Sequence, residues 1–166
     1  SGDWSSDVCS SDLCRKSKDK KDIGLNIATP FDVKANTDKT HFYVLNADSG
    51  HKYKSGSILI LDSDANKIGH VTVPRLGHNL AVSGNLLLAT FDSEYGYVDS
   101  YTYLWDISDP ENPDLITTWK MPNCSPMNAV MRDEYDHFAV SCRSGALWVG
   151  TLDRNNLEGS ELDRKS

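Results

Sequence analysis

The chain has 166 residues, 39% of them hydrophobic and 25% charged, the balance of a globular domain able to bury a core. Its formal charge is −7 and its one dense basic run is Arg15-Lys16-Ser17-Lys18-Asp19-Lys20-Lys21, which argues against nucleic acid as a partner. No stretch of about 18 apolar residues occurs, so nothing reads as a membrane-spanning helix. The four cysteines, at positions 9, 14, 124 and 142, form no CxxC pair and no Cys/His array, which argues against a structural zinc site.

Along the chain, the first residues have neither a hydrophobic period nor turn logic. Asp3-Trp4-Ser5-Ser6-Asp7-Val8-Cys9-Ser10-Ser11-Asp12 resembles the translation of a common short-read sequencing adapter. Residues 1–13 are therefore set aside as an assembly artefact. Cys14 then opens a polar, basic tether reaching residue 26. A cysteine ahead of a solvated linker resembles the start of a mature bacterial lipoprotein. That resemblance implies a lipid on Cys14, attachment to a membrane surface, and an extracytoplasmic location in the periplasm or on the cell surface. The alternative is an ordinary cysteine in a flexible leader.

From residue 27 onward the main signal is an internal repeat. Pro30-Phe31-Asp32-Val33-Lys34, His78-Asn79-Leu80-Ala81-Val82 and Pro126-Met127-Asn128-Ala129-Val130 start 48 residues apart. His41-Phe42-Tyr43-Val44 recurs as His137-Phe138-Ala139-Val140, and Leu61-Asp62, Trp105-Asp106 and Leu152-Asp153 close the third strand of each unit. Each unit reads as four short strands. In the middle unit these are expected near 78–83, 86–91, 101–107 and 114–121, with the two-proline turn Ser108-Asp109-Pro110-Glu111-Asn112-Pro113 before the last. No segment carries a 3.6-residue period, so little helix is expected. The class is all-β.

Four-stranded units of this length resemble the blades of a β-propeller. The string Leu104-Trp105-Asp106-Ile107-Ser108-Asp109-Pro110-Glu111-Asn112-Pro113 is similar to the LVIVD repeat of bacterial propellers, as is Leu80-Ala81-Val82-Ser83-Gly84-Asn85 before it. The outer units carry Asp62-Ser63-Asp64 and Asp153-Arg154-Asn155 without the Asp-Pro, and look more like generic YVTN-type blades. The expectation is a partial β-propeller of about three four-stranded antiparallel blades, at about 27–75, 76–123 and 124–166. Three blades do not close a ring, and the last lacks an evident fourth strand, so both ends read as truncation and the terminal blades as exposing faces built for burial.

Propeller topology implies that the connections leading into each first strand, and those between second and third strands, share one face. The longest such connection, Asp92 to Ser100, holds Asp92, Glu94, Tyr95, Tyr97 and Asp99. Carboxylates beside tyrosine rings suit a polar ligand such as a sugar or a peptide; the alternative is a solvated loop. Asp92, Glu94 and Asp99 offer oxygen ligands but not EF-hand spacing, and no metal is expected there. His78, which the 48-residue register sets where Pro30 and Pro126 stand, is the histidine best placed for function, with Asn79 beside it. His41 and His137 hold matching places on the opposite rim and read as structural; His51 and His70 have no supporting neighbours. Arg143 and Cys142 end a strand on the ligand face, near Cys124. A Cys124–Cys142 disulfide and two free buried cysteines both remain open, since counting the hairpin sets Cys142 nearer Met127 than Cys124.

No Gly-x-Ser-x-Gly, phosphate loop or HExxH occurs, and no cofactor is expected. The favoured expectation is a non-enzymatic propeller that binds a polar ligand or a protein. The rivals are a lactonase-like or quinoprotein-like propeller enzyme and a structural component of a surface assembly.

Overall fold

The computed structural model describes residues 29–47, 56–73, 77–92 and 99–165. Residues 1–28, which include the adapter-like segment, Cys14 and the tether, lie outside the described residues, as do Glu94, Tyr95 and Tyr97.

Among the described residues twelve strands form three antiparallel sheets, each a four-strand meander. The first holds β1 (Thr29–Ala35), β2 (His41–Ala47), β3 (Gly56–Asp62) and β4 (Lys67–Val73). The second holds β5 (Gly77–Ser83), β6 (Leu86–Phe91), β7 (Asp99–Asp106) and β8 (Asp114–Pro122). The third holds β9 (Pro126–Met131), β10 (His137–Cys142), β11 (Leu147–Thr151) and β12 (Glu161–Arg164). The expected strands of the middle sheet are met within two residues. The third sheet corrects the reading of its end: it has a fourth strand, β12, paired to β11 from Trp148↔Arg164 to Thr151↔Glu161. That strand is only four residues long and largely exposed, so no hydrophobic alternation announced it.

The sheets stack face to face and converge on their first strands, β1 lying against β5 and β5 against β9. Between the first and second sheets, Tyr43, Leu45, Ile58 and Ile60 pack with Leu80, Leu87, Ala89, Phe91 and Trp105. Between the second and third, Ala81, Leu88 and Leu104 pack with Ala129, Met131, Phe138, Val140 and Trp148. A sheet covered on both sides needs apolar residues at both parities, which is why all six residues of β6 are buried.

An aspartate at the end of the third strand, or two residues past it in the third sheet, has one job in all three sheets. Asp62 accepts the Asp64 N–H, Asp106 the Ser108 N–H and Asp153 the Asn155 N–H, at 3.0, 2.7 and 3.0 Å. Each is an Asx turn that starts the reversal toward the fourth strand, completed in the third sheet by a short 3-10 helix at Leu157–Gly159. In the middle sheet Asp109 repeats the device, accepting from the Glu111 N–H and the Asn112 amide. These bonds hold the Asp62 and Asp109 carboxyls below the usual carboxylate range, the side-chain amides of Asn66 and Asn112 being the largest cause. The turns between first and second strands link one sheet to the next: Thr37 Oγ1 donates to the Gly84 carbonyl at 3.2 Å, and Ser83 Oγ to Asp133.

Candidate functional site

Each first strand carries a bulge near its start, and the bulges supply the register that fixed spacing does not. β1 skips Phe31 between the pairs Pro30↔Asn46 and Asp32↔Leu45; β5 skips His78 between Gly77↔Phe91 and Asn79↔Thr90; β9 skips Met127 between Pro126↔Cys142 and Asn128↔Ser141. The residue matching Pro30 and Pro126 is therefore Gly77. His78 matches Phe31 and Met127, which corrects the uniform 48-residue alignment by one position. A bulge re-aims a side chain out of the alternating pattern. Phe31 and Met127 are 39% and 50% exposed, and His78 is half-buried.

His78 Nε2 lies 3.1 Å from Asp92 Oδ2, so the end of β6 and the bulge of β5 meet as a His–carboxylate pair. The Phe31 ring of the first sheet packs on the imidazole, centroids 5.9 Å apart at 49°. One residue past each bulge stands a short acceptor: Asp32, Asn79 and Asn128. Asp32 Oδ1 accepts from the Val33 N–H at 2.8 Å and Asn128 Oδ1 from the Ala129 N–H at 2.9 Å. In the middle sheet the matching donor is taken from next door, for the Leu80 N–H bonds Asp32 Oδ2 at 2.8 Å. Asn79 Oδ1 is thus left buried without a protein partner, as is Thr90 Oγ1 directly across the strand pair. A buried acceptor with no protein partner is a place for a water or a ligand donor. Lys34 neutralises Asp32 from the exposed side, Nζ to Oδ1 2.9 Å.

Asp99 opens β7 at the same end of the middle sheet and pairs with Lys120, 2.8 Å apart, so its carboxylate is turned to β8 rather than to His78. Among the described residues no three His, Cys, Asp or Glu side chains stand together as a metal site.

At this end of the third sheet Cys124 and Cys142 form a disulfide, with Cα atoms 5.1 Å apart. The hairpin count missed the bulge, which brings Cys142 opposite Pro126 rather than Met127 and lets the segment before β9 fold back over it. The Arg143 N–H donates to the Ser125 carbonyl at 2.8 Å and Ser144 Oγ to the Asn123 carbonyl at 3.1 Å, closing the same corner; the Arg143 side chain is exposed. Of the residues expected to form the site, His78, Asn79 and Asp92 come together, while Asp99 and Arg143 sit apart at the same rim. Phe31, Asp32 and Asn128 were missed. Their signal was present as one short acceptor at a matched position in each repeat, visible once the bulges are counted.

Three meander sheets stacked in sequence order and converging on their first strands decide the architecture. The fold is that of a β-propeller. Among solved structures, the chain is similar to the β-propeller domain of Cps50 (Swd1) from Myceliophteria thermophila, with a TM-score of 0.57 at 13% identity over 81% of this chain. It also matches the β-propeller domain of the Trilobed protease from Pyrococcus furiosus, TM-score 0.47 at 12% identity over 82% of this chain. The chain spans 38% and 43% of those two domains, and its three blades form an open, partial propeller. No family model matches the sequence, and no curated protein matches it.

Proposed function

We propose that this chain belongs to a non-enzymatic, ligand- or protein-binding propeller whose contact surface is the His78 end of the blades. The observation that carries the reading is the meeting of His78, Asp92 and the Phe31 ring beside the unpartnered Asn79 acceptor. An imidazole–carboxylate pair, an unfilled acceptor and a half-exposed ring together suit a ligand with several O–H or N–H donors and an apolar face, such as a sugar or a peptide. Glu94, Tyr95 and Tyr97, which follow Asp92 in sequence and lie outside the described residues, are included in this reading for their chemistry alone.

The protein is read as exported. The Cys124–Cys142 disulfide supports this, because such bonds persist in oxidising compartments. Cys14 and its basic tether support attachment to a membrane surface through a lipid, and the Leu104–Pro113 string supports an LVIVD-type bacterial propeller. Residues 1–13 are read as adapter-derived and outside the native protein. The complete open reading frame tests both readings of the leader: an apolar segment and small residues upstream of Cys14 fit a lipoprotein, and their absence rules it out.

The binding reading is tested on a glycan array and a random hexapeptide display library, with wild type against His78→Ala and Asp92→Ala. The expected result is a set of binders that both variants lose. Binders retained by both variants would place the contact surface elsewhere.

A further inference from the structure

The boundary between the first two blades carries the site at one rim and a second set of contacts at the other. At the site rim the Phe31 ring lies on the His78 imidazole, and Asp32 Oδ2 accepts the Leu80 N–H. At the opposite rim the two-proline turn of the second blade reaches back onto the first. The Tyr43 hydroxyl donates to the Pro110 carbonyl at 3.1 Å, and Glu111 Oε1 stands 3.7 Å from His41 Nε2. Gly69 of β4 leaves room for the Glu111 carbonyl, which would lie 3.5 Å from a Cβ there.

The turn is a firm anchor. Pro110 and Pro113 fix their own φ, Asp109 Oδ1 accepts the Glu111 N–H at 3.1 Å, and the Asn112 N–H donates to the Asp109 carbonyl at 3.2 Å. Tyr43 is buried in β2, where it pairs with Lys34. Two residues on, about 7 Å along the same strand, Leu45 pairs with Asp32. Leu45 also fills the space where a Cβ of Gly77 would stand, against the backbone that precedes His78. One strand therefore runs from the anchor to the site: Pro110 holds Tyr43, and Leu45 meets Asp32 on one side and Gly77 on the other.

The other internal boundary is built differently. Leu88, which has no hydroxyl, holds the place of Tyr43 in β6, and the turn from Asp153 to Ser160 has no proline. Ser83 Oγ on Asp133 ties that rim instead.

We propose that Tyr43 is a positioning residue for the His78 site, holding Phe31 and Asp32 of the first blade in place against His78 and Leu80 of the second. Only the consequence for a ligand rests on the binding reading above.

The test compares Tyr43→Phe with Ser83→Ala, each of which removes one hydroxyl from one internal boundary. In a 15N- and 13C-labelled chain two quantities are followed: hydrogen exchange at the Leu80 amide, and the His78 imidazole proton shifts, which sense the Phe31 ring 5.9 Å away. Tyr43→Phe is expected to speed Leu80 exchange about tenfold relative to amides of the third blade, and to move the His78 shifts. Ser83→Ala is expected to change neither. On the glycan and hexapeptide arrays, Tyr43→Phe should weaken by about threefold or more the binders that His78→Ala loses. Unchanged Leu80 exchange and His78 shifts in Tyr43→Phe, equal changes in both variants, or a general speeding of exchange in all three blades would each overturn the proposal. Altered exchange and shifts with unaltered array binding would uphold the positioning role and count against the binding reading.

Discussion

Reduction of the Cys124–Cys142 bridge gives the largest single perturbation that can be worked from the fold. The bond joins residues 18 apart in sequence. Constraining a loop of that length in the unfolded chain is worth about 3 kcal/mol in the chain-entropy account. Both cysteines are buried, at 0% and 6% exposure, and the bridge ties the segment entering β9 to the end of β10, so the cost falls on the third blade as a whole. With a urea slope of about 2 kcal/mol/M, loss of about 3 kcal/mol lowers the unfolding midpoint by about 1.5 M. The assay is urea unfolding followed by tryptophan fluorescence, with and without a phosphine reductant, on wild type and on the Cys124→Ala/Cys142→Ala double variant. Wild type is expected to shift with reductant, and the double variant to be insensitive to it with a midpoint at or below that of reduced wild type. Proteolysis and mass spectrometry without reductant map the bond. Equal midpoints for oxidised and reduced wild type would refute the reasoning.

Three further outcomes follow from particular residues. A Cβ at Gly150 would run into the Phe138 ring across the strand pair, and one at Gly77 into the Leu45 side chain of the first blade, so Gly150→Ala and Gly77→Ala are each expected to cost about 1–3 kcal/mol in the same urea assay. Burial first, and the Asp109 charge second, push the Tyr43 hydroxyl up to about 12. Its contribution to stability is complete below the ordinary tyrosine pKa of about 10 and is lost as pH rises through about 12. An ultraviolet titration should show one late-ionising tyrosine, absent in Tyr43→Phe; an unchanged late step in that variant would contradict it. Asp62 and Asp109 are held below their unfolded values, so their contribution is present above the ordinary carboxylate range and is lost as pH falls through the folded values. Asp62→Asn/Asp109→Asn should therefore flatten the acid limb of stability measured by thermal unfolding.

The four-strand unit was legible because it is written twice, in apolar content and in turn chemistry. The buried runs Leu86 to Phe91 and Gly56 to Leu61 need no interpretation, and the third-strand aspartates recur because each one caps a turn. What spacing alone did not show was the bulge. A bulge adds a residue to one strand without changing its composition, so a hairpin counted without it is off by one beyond that point. The repeat itself is uneven, with Gly77 47 residues after Pro30 and Pro126 49 after Gly77, so a uniform spacing of 48 set His78 opposite Pro30, while the bulge in β9 made Cys142 look out of reach of Cys124. β12 was illegible for a different reason: it is a four-residue strand at the outer edge, and only Leu162 of Glu161 to Arg164 packs against the core. Three of the eight residues named from the sequence, His78, Asn79 and Asp92, stand together, and they could be picked out because histidine, asparagine and aspartate at strand ends are chemically conspicuous. Phe31 and Asp32 could not, since their part in the site lies across a blade boundary.

Backbone amide shifts in a 15N-labelled chain, titrated with the strongest glycan or peptide from the arrays, locate the contact surface residue by residue. Shifts should concentrate at Phe31, His78 to Leu80 and Asp92, the end where the first strands bulge. Shifts centred instead on the opposite rim, at Thr37, Gly84 and Asp133, would contradict it.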